Sequence, residues 1–545
     1  MNGYEAMAQI LKAEGVELLI AFPHQTLIET GALAGIRPII CRQERAGVNM
    51  ADGYSRIHNG RKIGVFSMQQ GPGAENAFGG VAQAFADSVP LLALPGGEPF
   101  DRLGAQPTFE AVPNYKGITK WASLLYTPAS IPVVMRRAFT QLKHGRLGPV
   151  LVEMNSDVMS AEYPAATVDY QPVQRHASAA SPEDVRDLVT ALLGASNPVI
   201  NAGQGVMYAE ATPELVEFAE LTHIPVMTTL AGKSAFPENH GLSLGTGASS
   251  LTLMVHRFLQ TTDFVLGIGT SFTKTVFNTP MPETVPLAQV TNCAEDLNKD
   301  YVISYGAVGD AMVGLRHMLG YVMRILGVGG RGDSNGIVDQ IAKIRSEWLA
   351  EWKPYLTSNE VPINPYRVFS ELARAVDVAN TIITHDSGYP REQLVPFWKP
   401  VTPRGYLGWG KSTQLGYGLG LAMGAKLAAP EKQVINVMGD AAFGMAGLDL
   451  ETAVRAKIPI LTVVLNNGVM THYDSYMPYA SDRFGSNELG GHYATVAEGL
   501  GAAAERVTTP DQLAPAIKRA IAANHQGKPA LIEVITKAEE TISRY

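Results

Sequence analysis

The feature that most constrains this chain is a regular alternation of short, fully apolar runs with longer segments of helical periodicity. Fully apolar strands alternating with helices indicate parallel sheets that are covered by helices on both faces. We therefore predict an α/β chain of doubly wound, Rossmann-like parallel sheets. The predicted strands are Val16–Phe22, Ile63–Ser67, Leu91–Pro95, Val150–Met154, Pro198–Ala202, Pro225–Thr229, Phe264–Gly269, Thr381–His385, Gln433–Met438, Ile460–Asn466 and Ala530–Thr536.

Two stretches interrupt this alternation and divide the chain. Ser160–Glu183 is rich in Pro, Ala, Ser and Gln, and Gly327–Asn364 begins with a glycine-rich run and continues into an isolated, charged helix. Stretches of this kind are typical of connections between domains. We predict three α/β domains, at residues 1–160, 185–325 and 365–545, which agrees with a prior of about 150 residues per domain.

Composition excludes several classes of protein. Hydrophobic residues make up 46% and charged residues 17% of the 545 residues, and the formal charge is −8, so neither disorder nor binding to nucleic acid or an anionic membrane is favoured. Two cysteines, Cys41 and Cys293, are too few for a disulfide framework, and the twelve histidines suggest no zinc site. The sequence shows neither a signal peptide nor an apolar run of about 18 residues. We expect no membrane association and a cytoplasmic location.

The segment with the most chemical information lies where two predicted strands end. The strand Gln433–Met438 runs into Gly439 and Asp440, and the strand Ile460–Asn466 runs into Asn467. Ligands bind at the carboxyl edge of an open parallel sheet. A carboxylate, a side-chain amide and a loop carbonyl form an oxygen-only ligand set that suits Mg²⁺, and small residues at a helix start let backbone N–H groups approach an anion. These residues predict a site for Mg²⁺ and a diphosphate.

At this point the sequence resembles the thiamine-diphosphate-dependent enzymes, whose signature is Gly-Asp followed at a set interval by Asn-Asn. The resemblance covers almost the whole chain and is closest to the acetolactate synthase-like and 2-hydroxyacyl-CoA lyase branch. This resemblance implies a pyrimidine-binding, a middle and a diphosphate-binding domain, in that order. Three further segments resemble family motifs: Cys41–Tyr54 around the catalytic glutamate, Gly71–Asn76 as a Gly-Pro-Gly loop, and Gly410–Gly420 around a large apolar residue that bends the cofactor.

The resemblance also assigns roles to individual residues. Glu44 would reach the aminopyrimidine ring of a cofactor bound to the other subunit and promote removal of the thiazolium C2 proton. Leu415 would press under the cofactor, although a core leucine would look the same in the sequence. The metal ligands would be Asp440, the Asn467 side chain and the Val469 carbonyl. The remaining cofactor contacts would be Gly71, Pro72, Gly73, Asn76, Gly439, Ala441, Ala442 and Met470.

Candidates for substrate contacts come from alignment by motif. His24, Gln25 and Gln70 would face the reactive carbon as proton shuttles or polar anchors, and each has an equally plausible structural role. Aromatic residues at helical spacing are more often core than ligand contacts, so those after the metal-binding strand have a structural reading too. The further candidates are Gln69, Lys274, Trp409, Lys411, His472, Tyr473 and Tyr476.

Two departures from acetolactate synthase leave the reaction open. Thr471, His472 and Tyr473 replace the Gly-Met-Val stretch of that enzyme, and Thr275 stands where it has an acceptor-binding arginine. The first hypothesis is carboligation or decarboxylation of a small 2-oxo acid. The second is cleavage of a 2-hydroxyacyl-CoA into formyl-CoA and an aldehyde or ketone, with Lys274 or Lys411 on the CoA phosphates. A non-catalytic cofactor-binding paralogue is a third, against which the retention of Glu44 argues.

Two glycine turns in the predicted middle domain follow strands without completing a dinucleotide-binding pattern. Gly203-Gln204-Gly205 and Gly267-Ile268-Gly269 lack the third glycine and a well-placed acidic residue. A nicotinamide dehydrogenase is therefore disfavoured. The resemblance implies that FAD or an ADP moiety would lie at these turns if one is bound. It also implies a homodimer or homotetramer with active sites at the subunit interface.

Overall fold

The computed structural model describes residues 1–332 and 336–545; residues 333–335, in the glycine-rich stretch predicted to connect two domains, lie outside the described residues. The described residues form three six-stranded sheets in which every strand pair is parallel. The eleven predicted strands are all present, so the predicted fold class is confirmed. The strands are β1 Leu18–Phe22, β2 Arg37–Ile40, β3 Gly64–Met68, β4 Leu91–Gly97, β5 Trp121–Leu124, β6 Val150–Asn155, β7 Pro198–Ala202, β8 Val226–Thr229, β9 Ser243–Gly247, β10 Phe264–Ile268, β11 Leu287–Thr291, β12 Tyr305–Val308, β13 Thr381–His385, β14 Tyr406–Leu407, β15 Gln433–Gly439, β16 Leu461–Asn466, β17 Ala503–Val507 and β18 Ala530–Ile535.

Helices connect most consecutive strands and cover the sheets; in the middle domain β8–β9, β10–β11 and β11–β12 are joined without an α-helix. Those of the N-terminal domain are α1 Gly3–Ala13, α2 Gln25–Leu33, α3 Glu44–Ile57, α4 Pro72–Ala86, α5 Ala111–Tyr115, α6 Ile131–Lys143 and α7 Ser156–Ser160. Those of the middle domain are α8 Pro182–Gly194, α9 Gln204–Tyr208, α10 Thr212–Thr222, α11 Leu253–Thr261 and α12 Ala311–Leu326, followed by the connecting helix α13 Ile337–Leu356. The C-terminal domain has α14 Pro365–Ala375, α15 Tyr389–Leu394, α16 Tyr417–Ala428, α17 Asp440–Ala446, α18 Leu450–Arg455, α19 Tyr473–Tyr476, α20 Pro478–Phe484, α21 Tyr493–Gly499 and α22 Pro510–His525.

The strand order shows where each sheet can hold a ligand. The N-terminal sheet runs β2-β1-β3-β4-β6-β5, and the C-terminal sheet repeats that order as β14-β13-β15-β16-β18-β17. The middle sheet runs β12-β11-β10-β7-β8-β9, which read from its other edge is the order of dinucleotide-binding folds. The strand order reverses between β1 and β3 in the N-terminal sheet, between β7 and β10 in the middle sheet, and between β13 and β15 in the C-terminal sheet. The crevice at the carboxyl ends of such strands is the general ligand site of open α/β sheets.

The N-terminal and C-terminal domains share one apolar core in which helices α3 and α16 pack together. Their backbones approach closely because glycines lie at the crossing. A Cβ added to Gly53 would lie 2.2 Å from the Leu421 carbonyl oxygen, and one added to Gly424 would lie 2.0 Å from that of Met50. Only glycine allows this approach, so the contact fixes the two domains against each other.

Helix α13 differs from the isolated, charged helix that the sequence suggested. Trp348 and Trp352 on this helix are buried in an apolar core that is shared by the middle and C-terminal domains. The Trp348 ring stacks on Phe397, with ring centroids 4.9 Å apart. The charged residues of the helix form its exposed face, and the two tryptophans bind it to the rest of the molecule. Within the described residues, no helix is both long enough and apolar enough to span a membrane.

Candidate active site

Asp440 is fixed at the switch point of the C-terminal sheet. Strand β15 ends at Gly439, and Asp440 begins α17. One carboxylate oxygen accepts the N–H of Ala441 at 2.8 Å, and the other accepts the N–H of Gly468 at 2.9 Å. The second bond joins the ends of neighbouring strands β15 and β16. Burial raises the pKa of Asp440, while these backbone donors oppose that shift.

Asn467 lies in the turn that this bond holds. Its side-chain oxygen accepts the N–H of Val469 at 3.1 Å, and its amide donates to the Thr471 hydroxyl at 2.8 Å. The N–H of Met470 donates to the Asn487 carbonyl at 2.7 Å, which ties the turn to the following loop. The structure thus brings together the side chains of Asp440 and Asn467 and the turn that includes Val469. Their oxygens are of the type that Mg²⁺ prefers, so the residues present fit that ion.

A third strand end belongs to the same crevice, and the sequence analysis missed it. Strand β13 leads into Asp386, Ser387 and Gly388, and α15 begins directly after them. Gly388 has φ of +84°, and a Cβ on Gly439 would lie 3.7 Å from Pro390 Cγ, so α15 and α17 begin side by side. Backbone N–H groups at helix starts favour an anion such as a diphosphate. The sequence contained the signal, because the strand Thr381–His385 was predicted and polar residues follow it.

Glu44 is buried at the start of α3 in the N-terminal domain. Its carboxylate accepts a hydrogen bond from the Asn76 side chain at 3.3 Å, and its exposed fraction is 5%. Burial raises the pKa of Glu44, and the Asn76 amide opposes that shift. A carboxyl group with a raised pKa exchanges protons more readily near neutral pH.

The predicted Gly-Pro-Gly loop forms the start of α4. Gly71 precedes the helix with φ of +60°, a conformation that favours glycine, and Pro72 is the first helical residue. A Cβ on Gly73 would lie 3.1 Å from Gln69 Cβ, so the loop is tightly folded. One turn further along the same helix, Asn76 reaches Glu44.

His24 and Gln70 lie at the switch point of the N-terminal sheet. A Cβ on Gly96 would lie 3.2 Å from Gln70 Oε1 and 3.6 Å from His24 Nε2, so both side chains border the space that Gly96 leaves open. The Ser67 hydroxyl donates to the Leu94 carbonyl at 3.2 Å and lies 2.9 Å from His24 Nδ1. We therefore assign the proton to Nδ1, which leaves Nε2 as an acceptor. Burial lowers the pKa of His24 to about 4.

Gln25 and Gln69, the other two glutamines predicted to contact substrate, have exposed side chains. Gln25 is the first residue of α2 and is exposed, and Gln69 is exposed at the end of β3. They border the same sheet edge as His24 and Gln70, but His24 alone of these side chains is buried.

Leu415 and Trp409 lie in one segment with different environments. Leu415 is partly buried against the core shared by the N-terminal and C-terminal domains. Trp409 is fully buried, its ring stacks on His385 with centroids 5.1 Å apart, and its indole N–H donates to the His385 carbonyl at 2.9 Å. Trp409 is thus a packed core residue at the base of this segment, and almost none of its surface is accessible to a substrate.

Lys411 borders a cavity at the switch point of the middle sheet, and Lys274 does not. The cavity has a volume of about 1300 Å³ including its open mouth, and the turns at Gly203 and Gly269 form part of its wall. The Lys411 ammonium donates to the Ser271 hydroxyl at 3.3 Å, and burial lowers its pKa to about 8. Lys274 lies outside this cavity, where it pairs with Glu283.

The aromatic segment after the Asn467 turn is exposed and is not part of the core. Tyr473 and Tyr476 are 49% and 77% exposed. His472 has φ of +72°, and its Nδ1 lies 3.1 Å from a Glu540 carboxylate oxygen. The segment follows directly on the Asn467 turn, so it lies beside the proposed metal ligands.

Comparison with known proteins decides the family. Three family models match in order: the N-terminal TPP binding domain of thiamine pyrophosphate enzymes at residues 1–118, their central domain at 185–318, and their C-terminal TPP binding domain at 386–534. A probable acetolactate synthase large subunit of Methanococcus aeolicus is 30% identical over 96% of this chain and 90% of its own length. The chain belongs to the thiamine-diphosphate-dependent enzymes, in their acetolactate synthase-like branch.

Two further relatives mark the range of this thiamine-diphosphate-dependent branch. Glyoxylate carboligase of Escherichia coli O157:H7 is 29% identical over 100% of this chain and 94% of its own length. The acetolactate synthase large subunit of Haemophilus influenzae is 26% identical over 95% of this chain and 92% of its own length. The chain is therefore an enzyme that forms or cleaves a carbon–carbon bond with thiamine diphosphate as cofactor. This finding sets aside the non-catalytic paralogue.

Proposed function

We propose that this enzyme uses Mg²⁺ and thiamine diphosphate to carboligate or decarboxylate a small 2-oxo acid, as acetolactate synthase-like enzymes do. The observation that carries the proposal is that two groups with the required chemistry lie past the carboxyl ends of strands, one in the C-terminal domain and one in the N-terminal domain. One is the oxygen-rich turn of Asp440 and Asn467, and the other is the buried Glu44 with its raised pKa. A metal–diphosphate anchor and an acid–base carboxyl are the two functions that this chemistry requires of the protein.

Asp440, the Asn467 side chain and the Val469 carbonyl would hold Mg²⁺. The support is geometric: the Gly468 N–H bond closes the turn on Asp440, and backbone N–H groups at the starts of α15 and α17 face the same crevice. Gly439, Ala441 and Ala442 have no side chains large enough to block a diphosphate at this helix start. The metal would neutralise the diphosphate charge, which these backbone dipoles also favour.

Glu44 would exchange a proton with the cofactor ring. Thiamine diphosphate supplies the carbanion nucleophile and electron sink, and the protein supplies position and charge. The Asn76 amide holds one carboxylate oxygen, which leaves the other free to face the ring nitrogen. Because burial raises the pKa of Glu44, the protonated and ionised forms are closer in energy than for an exposed glutamate.

His24 and Gln70 would contact the substrate on the N-terminal domain side. His24 is neutral near pH 7, because burial lowers its pKa to about 4. It therefore cannot bind the carboxylate of a 2-oxo acid through charge, but Nε2 can accept a hydrogen bond from a substrate hydroxyl. The Gln70 amide would orient the carbonyl or hydroxyl oxygen next to it.

Product analysis tests the proposed reaction. The holoenzyme with Mg²⁺ is incubated with [2-¹³C]pyruvate or with ¹³C-labelled glyoxylate, and the products are followed by ¹³C NMR. A new carbon–carbon bond or a labelled aldehyde is expected with at least one donor, and Glu44→Gln should slow its formation by about 10²–10⁴-fold. No product from either acid, with cofactor bound, would contradict the 2-oxo-acid proposal.

The middle-domain cavity favours a second candidate function, cleavage of a 2-hydroxyacyl-CoA. Lys411 and Arg146 bring positive charge to the wall of this cavity from the C-terminal and N-terminal domains, and Arg146 pairs there with Asp296 at 2.6 Å. Burial of the Lys411 ammonium is costly, and the nearby carboxylates of Asp87 and Asp296 offset only part of that cost, so an anionic ligand would stabilise Lys411 further. An ADP moiety, as in CoA or FAD, has the matching phosphates.

Equilibrium dialysis with ADP, FAD and CoA, together with steady-state kinetics on a 2-hydroxyacyl-CoA, tests this candidate. Lys411→Ala should raise the Kd for the nucleotide and the KM for the thioester. Lys274→Ala is the matched control, because Lys274 lies outside the cavity. Unchanged constants in Lys411→Ala would rule out a CoA or nucleotide contact at this residue.

A further inference from the structure

The segment that presents Leu415 is held at its end by Asp386. Asp386 follows β13 and is fully buried. Its carboxylate accepts the N–H groups of Gly416 and Gly418, each at 2.9 Å, and also that of Ser387 at 2.8 Å. The two glycines lie on either side of Tyr417 and directly after Leu415. The carboxylate therefore fixes the backbone on the C-terminal side of Leu415.

The glycines of this segment leave it little freedom to move. Gly416 has φ of +82°, and a Cβ added there would lie 2.9 Å from Ala446 Cβ. A Cβ on Gly418 would lie 2.5 Å from Asn436 Oδ1. The segment is thus pressed against α17 and β15, the elements that end or begin at the Asp440 crevice.

The other end of the segment is held by the N-terminal domain. Asp87 accepts the N–H groups of Gly410 and Lys411 at 3.3 and 3.2 Å, and Gln83 Oε1 accepts that of Gln414 at 3.2 Å. Two buried carboxylates from different domains therefore hold the backbone before and after Leu415. Such an arrangement fixes the position of one side chain more closely than packing alone would.

We propose that Asp386 is a positioning residue that places Leu415 against the cofactor. The proposal rests on the proposed function, which gives Leu415 the role of bending the cofactor. Charge-assisted hydrogen bonds are about twice as strong as neutral ones, and three of them converge on this carboxylate. Loss of one acceptor oxygen would let the Gly416–Gly418 backbone relax, and Leu415 would move with it.

Hydrogen–deuterium exchange at C2 of the bound cofactor tests this proposal, because that rate depends on how the cofactor is bent. Asp386→Asn removes the acceptor for one backbone N–H, and Leu415→Ala removes the apolar contact. A displacement of about 1 Å at a reacting centre costs on the order of 10²-fold in rate, so we expect exchange in each variant to slow by at least about tenfold. Asp263→Asn is the matched control, because Asp263 also accepts two backbone N–H groups, of Ser196 and Asn197, but in the middle domain.

The double variant distinguishes positioning from general stability. If Asp386 acts through Leu415, Asp386→Asn combined with Leu415→Ala should exchange no more slowly than Leu415→Ala alone. Multiplicative losses, or wild-type exchange in either single variant, would overturn the proposal. If the positioning proposal fails in this way, the proposed function still stands provided that the wild-type protein exchanges its C2 proton rapidly and that Glu44→Gln strongly slows product formation. A wild-type protein that binds cofactor without C2 exchange would overturn both.

Gly416→Ala provides a second test if Asp386→Asn does not fold. The added methyl group would move the segment away from Ala446 without changing any charge. Slow exchange with a folded protein supports the proposal, and exchange at the wild-type rate overturns it.

Discussion

At the scale of single residues, Glu44 is the side chain whose loss should affect chemistry most and binding least. It is buried, and Asn76 donates a hydrogen bond to its carboxylate. We predict that Glu44→Gln lowers kcat by about 10²–10⁴-fold, the usual contribution of a general acid–base group, with the Kd for thiamine diphosphate changed much less. Stopped-flow kinetics measures kcat, and calorimetric titration measures the Kd for thiamine diphosphate. Glu29→Gln, an exposed glutamate on α2, is the control. Full activity in Glu44→Gln would refute its role.

His24 gives a prediction about pH. Its folded pKa of about 4 lies below the ordinary value of 6.5, so the unfolded chain binds the proton more tightly. The stability that neutral His24 contributes is therefore complete above pH 6.5 and is lost as the pH falls towards 4. Between pH 7.5 and 5 the loss is about 2 kcal/mol. In urea unfolding at fixed protein concentration, His24→Gln should lose that much less stability than wild type over this interval. Equal losses would show that His24 titrates normally.

Asp386 shows what single residues in a sequence can reveal and what they cannot. Asp440, Asn467 and Glu44 could be predicted as site residues because each stands in a motif or directly after a strongly apolar strand. Asp386 also follows such a strand, but its role depends on backbone N–H groups of Gly416 and Gly418, which lie far along the chain. Hydrogen bonds between a side chain and a backbone group far along the chain cannot be predicted from a pattern of residue types.

At the scale of elements, the sequence predicted the centres of the sheets and missed their edges. Strands β2, β5, β9, β12, β14 and β17 were not predicted, and each is the outermost strand of its sheet. Edge strands have one neighbour and pack less completely; β5, for example, is only half-buried throughout. They need no continuous apolar run, so periodicity does not identify them. Strand β11, with Gln289 in its middle, was missed although it lies inside the middle sheet.

The crossing of α3 and α16 gives a prediction at this scale. A Cβ on Gly424 would lie 2.0 Å from the Met50 carbonyl oxygen, which belongs to the other helix. We predict that Gly424→Ala lowers the free energy of unfolding by about 1–3 kcal/mol or more, because the helices must separate. The control is Gly320→Ala in α12, where a Cβ meets nothing within 4 Å and a gain of about 0.5–1 kcal/mol is expected. Equal effects in chemical denaturation would show that the crossing is not tightly packed.

At the scale of the whole molecule, exposed apolar side chains near the proposed site would suit an interface with a second copy of the chain. Met445, near the end of α17, and Leu448, just after that helix, are 52% and 66% exposed, and Phe78 and Phe85 on α4 are 37% and 41% exposed. The main chain at Met445 accepts a hydrogen bond from Arg45, the neighbour of Glu44. The apolar surface therefore lies beside both halves of the proposed site, as expected if each site needs two subunits.

We accordingly predict at least a homodimer, with twice the chain mass of 58.4 kDa in light scattering. Leu448→Glu should shift the population towards monomer and lower activity in proportion. Val302→Glu, in the middle domain where Val302 is 83% exposed, should change neither. A fully active monomer would contradict a site shared between subunits.

The glycine crossing of α3 and α16 also has an evolutionary consequence. At Gly53 and Gly424 a single methyl group would overlap a carbonyl oxygen of the opposite helix, so no intermediate side chain is tolerated there. Neighbouring surface positions can drift one substitution at a time, but a change at either glycine requires both helices to be rebuilt together. Helix α3 begins at Glu44, and α16 begins two residues after Leu415, so the crossing is tied to two residues of the proposed site. Descendants of this chain can therefore change their substrate preference only through substitutions that leave the crossing unchanged. Diversification should therefore concentrate in the middle-domain cavity and in the exposed aromatic segment.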